Sequence, residues 1–163
     1  MKYKVYLETS FISYLVGRLS TDLVTLQRQL SSHRWWQTQR TEFGLFASQA
    51  VYRECIRGDA DLVQERLIVL QEVELLPLTS EILETAERLM TPAGPLSKKS
   101  ADDAIHIAAA TVYRCEFPLT WNFKHINNAF IRPQIERIIQ SYGYRPPNIC
   151  TADELMGPDE TEG

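Results

Sequence analysis

Short strand-like runs alternate with segments of helical periodicity from one end of this chain to the other, and that alternation predicts an α/β fold. The expected architecture is a single three-layer domain, with a mainly parallel central sheet flanked by helices. A second observation supports it: no repeat, low-complexity tract or linker interrupts the pattern over 163 residues. A third is that polar residues stand at the ends of strand-like runs, as in Lys4-Val5-Tyr6-Leu7-Glu8 and Leu119-Thr120-Trp121-Asn122. Open α/β sheets bind their ligands at such carboxyl ends and at the helix N-termini beside them.

The first strand, ending at Leu7, leads to Thr9 and Ser10, either able to cap a helix carrying Ile12, Tyr14 and Leu15, with Gly17 at its end. From Thr21, Leu23, Leu26 and Leu30 recur at helical spacing toward Trp35 and Trp36. These apolar residues fit either a core or a homodimer face. A strand follows at 43–47, and Ser48 caps a helix with Val51, Tyr52, Cys55 and Ile56, closed by Gly58. Residues 60–70 form a further helix with Val63, Leu67 and Leu70 on one face. The next strand, 73–78, contains Pro77, and helix 80–90 buries Ile82, Leu83, Ala86, Leu89 and Met90.

Thr91-Pro92-Ala93-Gly94-Pro95 is a loop. It leads through Leu96-Ser97-Lys98-Lys99-Ser100 into an alanine-rich helix opened by Asp102 and Asp103. There Ile105, Ala108, Ala109 and Val112 predict a narrow face of small residues. Residues 117–121 read as a strand, and Ile131, Ile135, Ile138, Ile139 and Tyr142 mark a late helix that tolerates Pro133 near its start. Asn148-Ile149-Cys150 is a last short strand. The domain is expected over 1–156, with 157–163 an acidic, disordered tail.

Composition bounds the function. A chain with 44% hydrophobic residues can fill a real core, and a net charge of −4 argues against general coating of nucleic acid, though not against a local basic groove. Cys55, Cys115 and Cys150 are odd in number, widely spaced and without zinc-like motifs, so reduced thiols are expected. No signal-like or membrane-spanning apolar run is present. The expectation is a soluble cytoplasmic protein with no membrane partner.

The chemistry points to carboxylates. Gathered with few basic neighbours, they repel unless a divalent cation joins them. Glu8 either marks a strand end or acts with partners, of which Glu54 and Asp103 are the best. Glu54 lies toward the C-terminal half of its helix, where the macrodipole disfavours a carboxylate by roughly 0.3–1 kcal/mol. It reads alternatively as a solvated residue paired with Arg53 or Arg57. Asp103 divides between ligand and the reaching residue of a Ser100 capping box. Asp102 is a ligand or a solvated neighbour, and His106, one turn on, reads as a hydrogen-bonded core residue.

Together, three stretches resemble the PIN domain, and more narrowly the VapC-like ribonuclease toxins. They are Val5-Tyr6-Leu7-Glu8-Thr9-Ser10-Phe11-Ile12-Ser13-Tyr14-Leu15, Asp103-Ala104-Ile105-His106-Ile107-Ala108-Ala109-Ala110 and Leu119-Thr120-Trp121-Asn122-Phe123-Lys124-His125-Ile126. They stand in the family's order and approximate spacing, over about residues 3–150. The resemblance implies a catalytic set of Glu8, Glu54, Asp103 and Asn122, with Glu8, Glu54 and Asp103 as metal ligands. Thr9 or Ser10, Thr120 and Asp102 would support them. It further implies Mg²⁺ or Mn²⁺, hydrolysis of RNA phosphodiesters, and an antitoxin protein as partner. Hard carboxylates suit these ions, which can acidify water and stabilise an in-line displacement.

Two positions depart from the family pattern. Glu8 stands where aspartate is usual, and Asn122 brings an amide where an acid is common; three carboxylates suit one metal better than two. RNA contacts fall to Lys98, Lys99, Lys124, His125 and Arg18, which otherwise are ordinary surface charge. Trp121 and Phe123 flank Asn122, so one can stack on a base while strand alternation sends another to the core. The alternatives are a PIN-fold RNA binder without cleavage and a metal-dependent phosphatase. The phosphatase is weaker because Glu8 is a poor phosphoryl nucleophile and no second aspartate follows it closely.

Overall fold

The structure is a computed structural model that describes residues 1–92 and 94–157. Four strands form one sheet: β1 (Lys4–Leu7), β2 (Gly44–Ser48), β3 (Glu74–Leu76) and β4 (Phe117–Leu119). All pairings are parallel, in the order β3-β2-β1-β4. Parallel neighbours need long crossovers, and the intervening segments supply them as helices. These are α1 (Thr9–Leu15), α2 (Leu23–Thr38), α3 (Gln49–Cys55), α4 (Ala60–Leu70), α5 (Ser80–Met90), α6 (Ala101–Val112) and α7 (Arg132–Ser141). In β1, Val5, Tyr6 and Leu7 are consecutive and all fully buried. Successive strand residues face opposite sides, so both faces of the sheet are covered. The expected α/β architecture is present.

The strand limits differ from expectation for local reasons. β2 runs one residue further, so that Ser48 both ends the strand and caps α3, its Oγ accepting from Ala50 N at 3.2 Å. β3 is shorter than 73–78 and stops before Pro77, which has no N–H to give a ladder. β4 ends at Leu119, not Trp121, and its outer edge pairs with the expected last strand only through one bridge, Leu119 to Cys150. Hydrogen bonds Asn148 N to Glu116 O (2.8 Å), Cys150 N to Pro118 O (3.0 Å) and Thr120 N to Cys150 O (3.0 Å) still close that edge. The tail expected over 157–163 falls, from 158 onward, outside the described residues.

Helix α2 starts at Leu23 because Asp22 caps it, accepting from Thr25 N at 2.9 Å. Its apolar residues part company. Trp35 is fully buried, edge-on to Phe11 at 5.5 Å and stacked with Phe43 at 5.7 Å. Trp36 is half-buried, while Leu23, Val24 and Leu30 are exposed. After α1, Gly17 takes φ +86°, and a Cβ there would lie 3.1 Å from Leu62 Cδ2. Only glycine turns the chain toward α4 at that point without strain.

Helix α6 is buried more completely than a narrow face requires. Ala104 and every residue from His106 to Thr111 are buried, whereas Ile105 and Val112 are only partly so. It packs against α5, α3 and β4, and small side chains permit that close approach. Among the described residues no helix is long and apolar enough to cross a membrane. The three cysteines are free and buried, and burial pushes their thiols up, Cys55 to about 11 and Cys115 and Cys150 to about 12. Such thiols are poor nucleophiles.

Overpacking tests the small-residue helix. Ala108→Leu inserts three carbons where no space exists and is expected to cost about 1–3 kcal/mol, read as a lower urea midpoint with an unchanged slope.

Candidate active site

Glu8 follows β1 directly and caps α1, yet it is only 5% exposed. A buried carboxylate must be hydrogen-bonded. Its Oε2 accepts from Ser10 N at 3.0 Å, from the Ser10 hydroxyl, and from Thr120 Oγ1 at 2.8 Å. Ser10 Oγ in turn accepts from Trp121 N at 2.9 Å. One carboxylate therefore ties the end of β1 to the segment beyond β4. Its Oε1 meets no protein donor among the described residues.

Thr120 passes the link onward, its Oγ1 accepting from Asn122 N at 3.0 Å. Asn122 Oδ1 receives Lys124 N at 3.1 Å and His125 N at 3.0 Å, and these two donors fix which amide atom is oxygen. The nitrogen is left to face Asp103, donating to its Oδ1 at 3.0 Å. The Ser100 capping box does not form: the Ser100 side chain makes no cap bond and its N–H goes to Ser97 O at 2.9 Å. Asp103 engages Asn122 instead. Burial raises the Asp103 pKa, the charges of His125 and His106 oppose that rise, and the carboxylates of Glu8 and Glu54 add to it.

Glu54 does not pair with Arg53 or Arg57. Its Oε1 meets His106 Nε2 at 2.5 Å. His106 is buried, and its Nδ1 lies 2.8 Å from Tyr6 Oη, which lies 2.8 Å from Ser48 Oγ. Burial holds the Tyr6 phenol well above its ordinary range, so it stays protonated and serves as a neutral link. For His106, burial acts downward, but the Glu54 hydrogen bond and the charges of Glu8, Glu54 and Asp103 outweigh it, and the net shift is upward. The reading of His106 as a hydrogen-bonded core residue holds, and its partner makes it the support of Glu54. Tyr6 and Ser48 carried no such signal in sequence. The available hints were that Tyr6 precedes Glu8 by one strand period and that His106 follows Asp103 by one helical turn.

The remaining expected residues divide. Ser10, not Thr9, joins the cluster; Thr9 Oγ1 is buried and meets no partner among the described residues. Asp102 is exposed, a solvated neighbour of Asp103. Lys98 and Lys99 are exposed on the turn that runs into α6. Lys124 is exposed and His125 half-buried, both just beyond Asn122. Arg18 is exposed after α1, and no contact ties its side chain to the cluster. Two hollows lie elsewhere: one of about 390 Å³ along α2 and one of about 530 Å³ near Tyr3, Arg114 and Tyr144.

As a metal site the arrangement is incomplete but chemically apt. Among the described residues no three His, Cys, Asp or Glu side chains gather into a ready-made cage. Glu8, Asp103 and Glu54 nonetheless each engage one carboxylate oxygen with protein partners, and no donor meets the other among the described residues. Hard oxygen donors of this kind suit Mg²⁺ or Mn²⁺.

Residues 5–120 match the family model of the PIN domain. The chain belongs to the PIN domain family. Three solved structures share the fold. VapC20 of Mycobacterium tuberculosis, a sarcin-ricin loop cleaving toxin, is 14% identical with a TM-score of 0.57, covering 86% of this chain and 95% of its own. VapBC2 from Rickettsia felis, bound to a DNA fragment from its promoter, is 11% identical with a TM-score of 0.56, covering 91% and 98%. VapBC-1 from nontypeable Haemophilus influenzae is 15% identical with a TM-score of 0.54, covering 92% and 98%. No curated protein sequence matches at a significant level. At these identities the neighbours establish the PIN fold of the chain.

The His106–Glu54 contact has a pH signature. Because the folded pKa of His106 lies above its ordinary 6.5, the stabilisation is complete below about pH 6.5 and is lost as pH rises through the folded value. Glu54→Gln is expected to lower the His106 titration midpoint, followed by NMR of the ring carbons. It should also narrow the stability gap to wild type as pH rises above 6.5.

Proposed function

We propose that this PIN domain is a metal-dependent endoribonuclease of the VapC toxin type, with Glu8, Glu54, Asp103 and Asn122 as its working residues. The observation that carries the reading is the chain of contacts Glu8–Thr120–Asn122–Asp103, which joins three separate segments at the carboxyl end of the sheet. Neutral hydroxyl and amide groups hold the two carboxylates, and among the described residues no lysine or arginine pairs with either. Such a cluster leaves carboxylate oxygens to which a cation could bind.

Mg²⁺ or Mn²⁺ would be held by Glu8, Asp103 and Glu54, and when bound would acidify an attacking water and offset charge on the scissile phosphate. The protein's own part is orientation. Ser10 and Thr120 hold the Glu8 carboxylate, and the Asn122 amide turns Asp103. His106, backed by Tyr6, positions Glu54 and keeps it from solvated rotamers. Lys98 and Lys99 precede the helix of Asp103, Lys124 and His125 follow Asn122, and these groups would neutralise neighbouring phosphates. Unstructured RNA is the substrate this reading implies.

The protein would act in the cytosol as the toxin of a toxin–antitoxin pair. An antitoxin protein would cover the acidic cleft. The exposed Leu23, Val24 and Leu30 of α2 offer apolar surface for a second copy of the chain.

A second reading, a PIN-fold RNA binder without cleavage, has its own support. Asn122 adds no charge and already occupies one oxygen of Asp103, and the acidic side chains do not form a cage among the described residues.

Cleavage of unstructured RNA with Mn²⁺ separates the two. Asp103→Asn is expected to abolish cleavage while the protein stays folded; equal activity in this variant and wild type would overturn the mechanism. Millimolar Mg²⁺ or Mn²⁺ should raise Tm by relieving carboxylate repulsion, since a ligand of the native state alone stabilises it. Asn122→Asp sets a second carboxylate against Asp103 Oδ1. It should lower Tm without metal and enlarge the metal-induced rise.

A further inference from the structure

Three aromatic rings and an arginine stand beside Asn122 and take no part in the carboxylate cluster. Trp121 is buried, and its Nε1 donates to Ser32 Oγ at 2.8 Å. Its ring meets Tyr14 at 6.3 Å and Phe123 at 6.2 Å, both edge-on. Arg28, reaching across from α2, lies over all three rings: Tyr14 at 5.7 Å, Trp121 at 5.9 Å and Phe123 at 5.2 Å. Its Nη1 donates to Tyr14 Oη at 3.2 Å, and it makes no salt bridge among the described residues. Phe123 stays 43% exposed although Arg28 and Trp121 hold it in place.

An exposed ring fixed by its neighbours differs from a loop phenylalanine that happens to be wet. It is a flat apolar surface ordered in advance, so a ligand stacking on it bears little ordering cost. Among the described residues the guanidinium behind it retains N–H donors without a protein acceptor, and phosphate suits them. A flat ring plus a cationic donor is the pairing that binds single-stranded nucleic acid without reading its sequence. The position is informative as well: Phe123 is the residue after Asn122, whose amide is 3.0 Å from Asp103.

We propose that Phe123, backed by Arg28, is a stacking platform for one nucleobase of single-stranded RNA, seating the nucleotide next to the phosphate presented to Asp103. This rests on the RNA reading of the same site. It adds a positioning subsite with no base preference, whose contribution is to binding and not to the bond-breaking step.

The test uses a short unstructured oligoribonucleotide carrying 2-aminopurine, titrated with the whole protein in EDTA so that the RNA stays intact. Wild type is expected to bind and to quench the 2-aminopurine by stacking. Phe123→Leu keeps apolar bulk over Trp121 and Arg28 but removes the π face. It should weaken binding by about 5- to 150-fold and abolish quenching. Phe123→Trp should restore both. Arg28→Gln should flatten the dependence of log K on log salt by about 0.7. Thermal melts check that each variant is folded.

If Phe123→Leu binds and quenches like wild type, or if wild type does not bind, the platform is overturned. Mn²⁺-dependent cleavage of the same RNA is read in parallel. Cleavage unchanged in KM by Phe123→Leu would remove the platform and leave the nuclease standing. Phe123-dependent quenching with no cleavage by wild type would keep the platform and remove the nuclease.

Discussion

A carboxylate buried at the end of the central strand is the constraint on which the carboxyl edge of the sheet depends. Glu8 is 5% exposed and has no cationic partner among the described residues. An ionised carboxylate taken out of water needs several good hydrogen bonds to persist. The chain supplies them from two directions, Ser10 from the start of α1 and Thr120 from beyond β4. Thr120 then receives Asn122, and Asn122 receives Lys124 and His125. The conformation of the loop after β4 is thus a consequence of satisfying Glu8.

The second support has the same logic with different chemistry. Glu54 sits on α3, a helix too short to orient a long side chain by packing alone. A fully engaged relay, Ser48–Tyr6–His106, reaches it through the core. Both ring nitrogens of His106 have partners, as a buried imidazole requires. Through it, β1, β2, α3 and α6 share one hydrogen-bond network, which makes the position of Glu54 a property of the whole fold.

Those two supports separate this cluster from a structural ion-pair network. Among the described residues, the groups that hydrogen-bond Glu8 and Asp103 are neutral: Ser10, Thr120 and Asn122. A site built only for stability would pair such acids with arginine or lysine, as Arg40 pairs with Glu72 at the surface. Glu8 and Glu54 add to the upward shift of the Asp103 carboxyl, a repulsion that a bound cation would offset.

Periodicity alone determined much of this protein: the order of strands and helices, the parallel sheet, and the segments that carry Glu8, Glu54, Asp103 and Asn122. Those follow from alternation of apolar residues and from local punctuation by Ser48 and Gly17, which act within a few residues. Sequence could not choose between Thr9 and Ser10, between capping box and ligand for Asp103, or between an arginine pair and a place beside the other carboxylates for Glu54; the contacts to Asn122 and His106 emerged only in the structure. Each choice turns on which groups from distant segments arrive within about 3 Å, a matter of sheet register and helix packing. The same holds for Trp121 and Phe123: alternation said that one of them is core. Only the approach of Arg28 and Ser32 from α2 decided that Trp121 is buried and Phe123 is the ring left facing solvent.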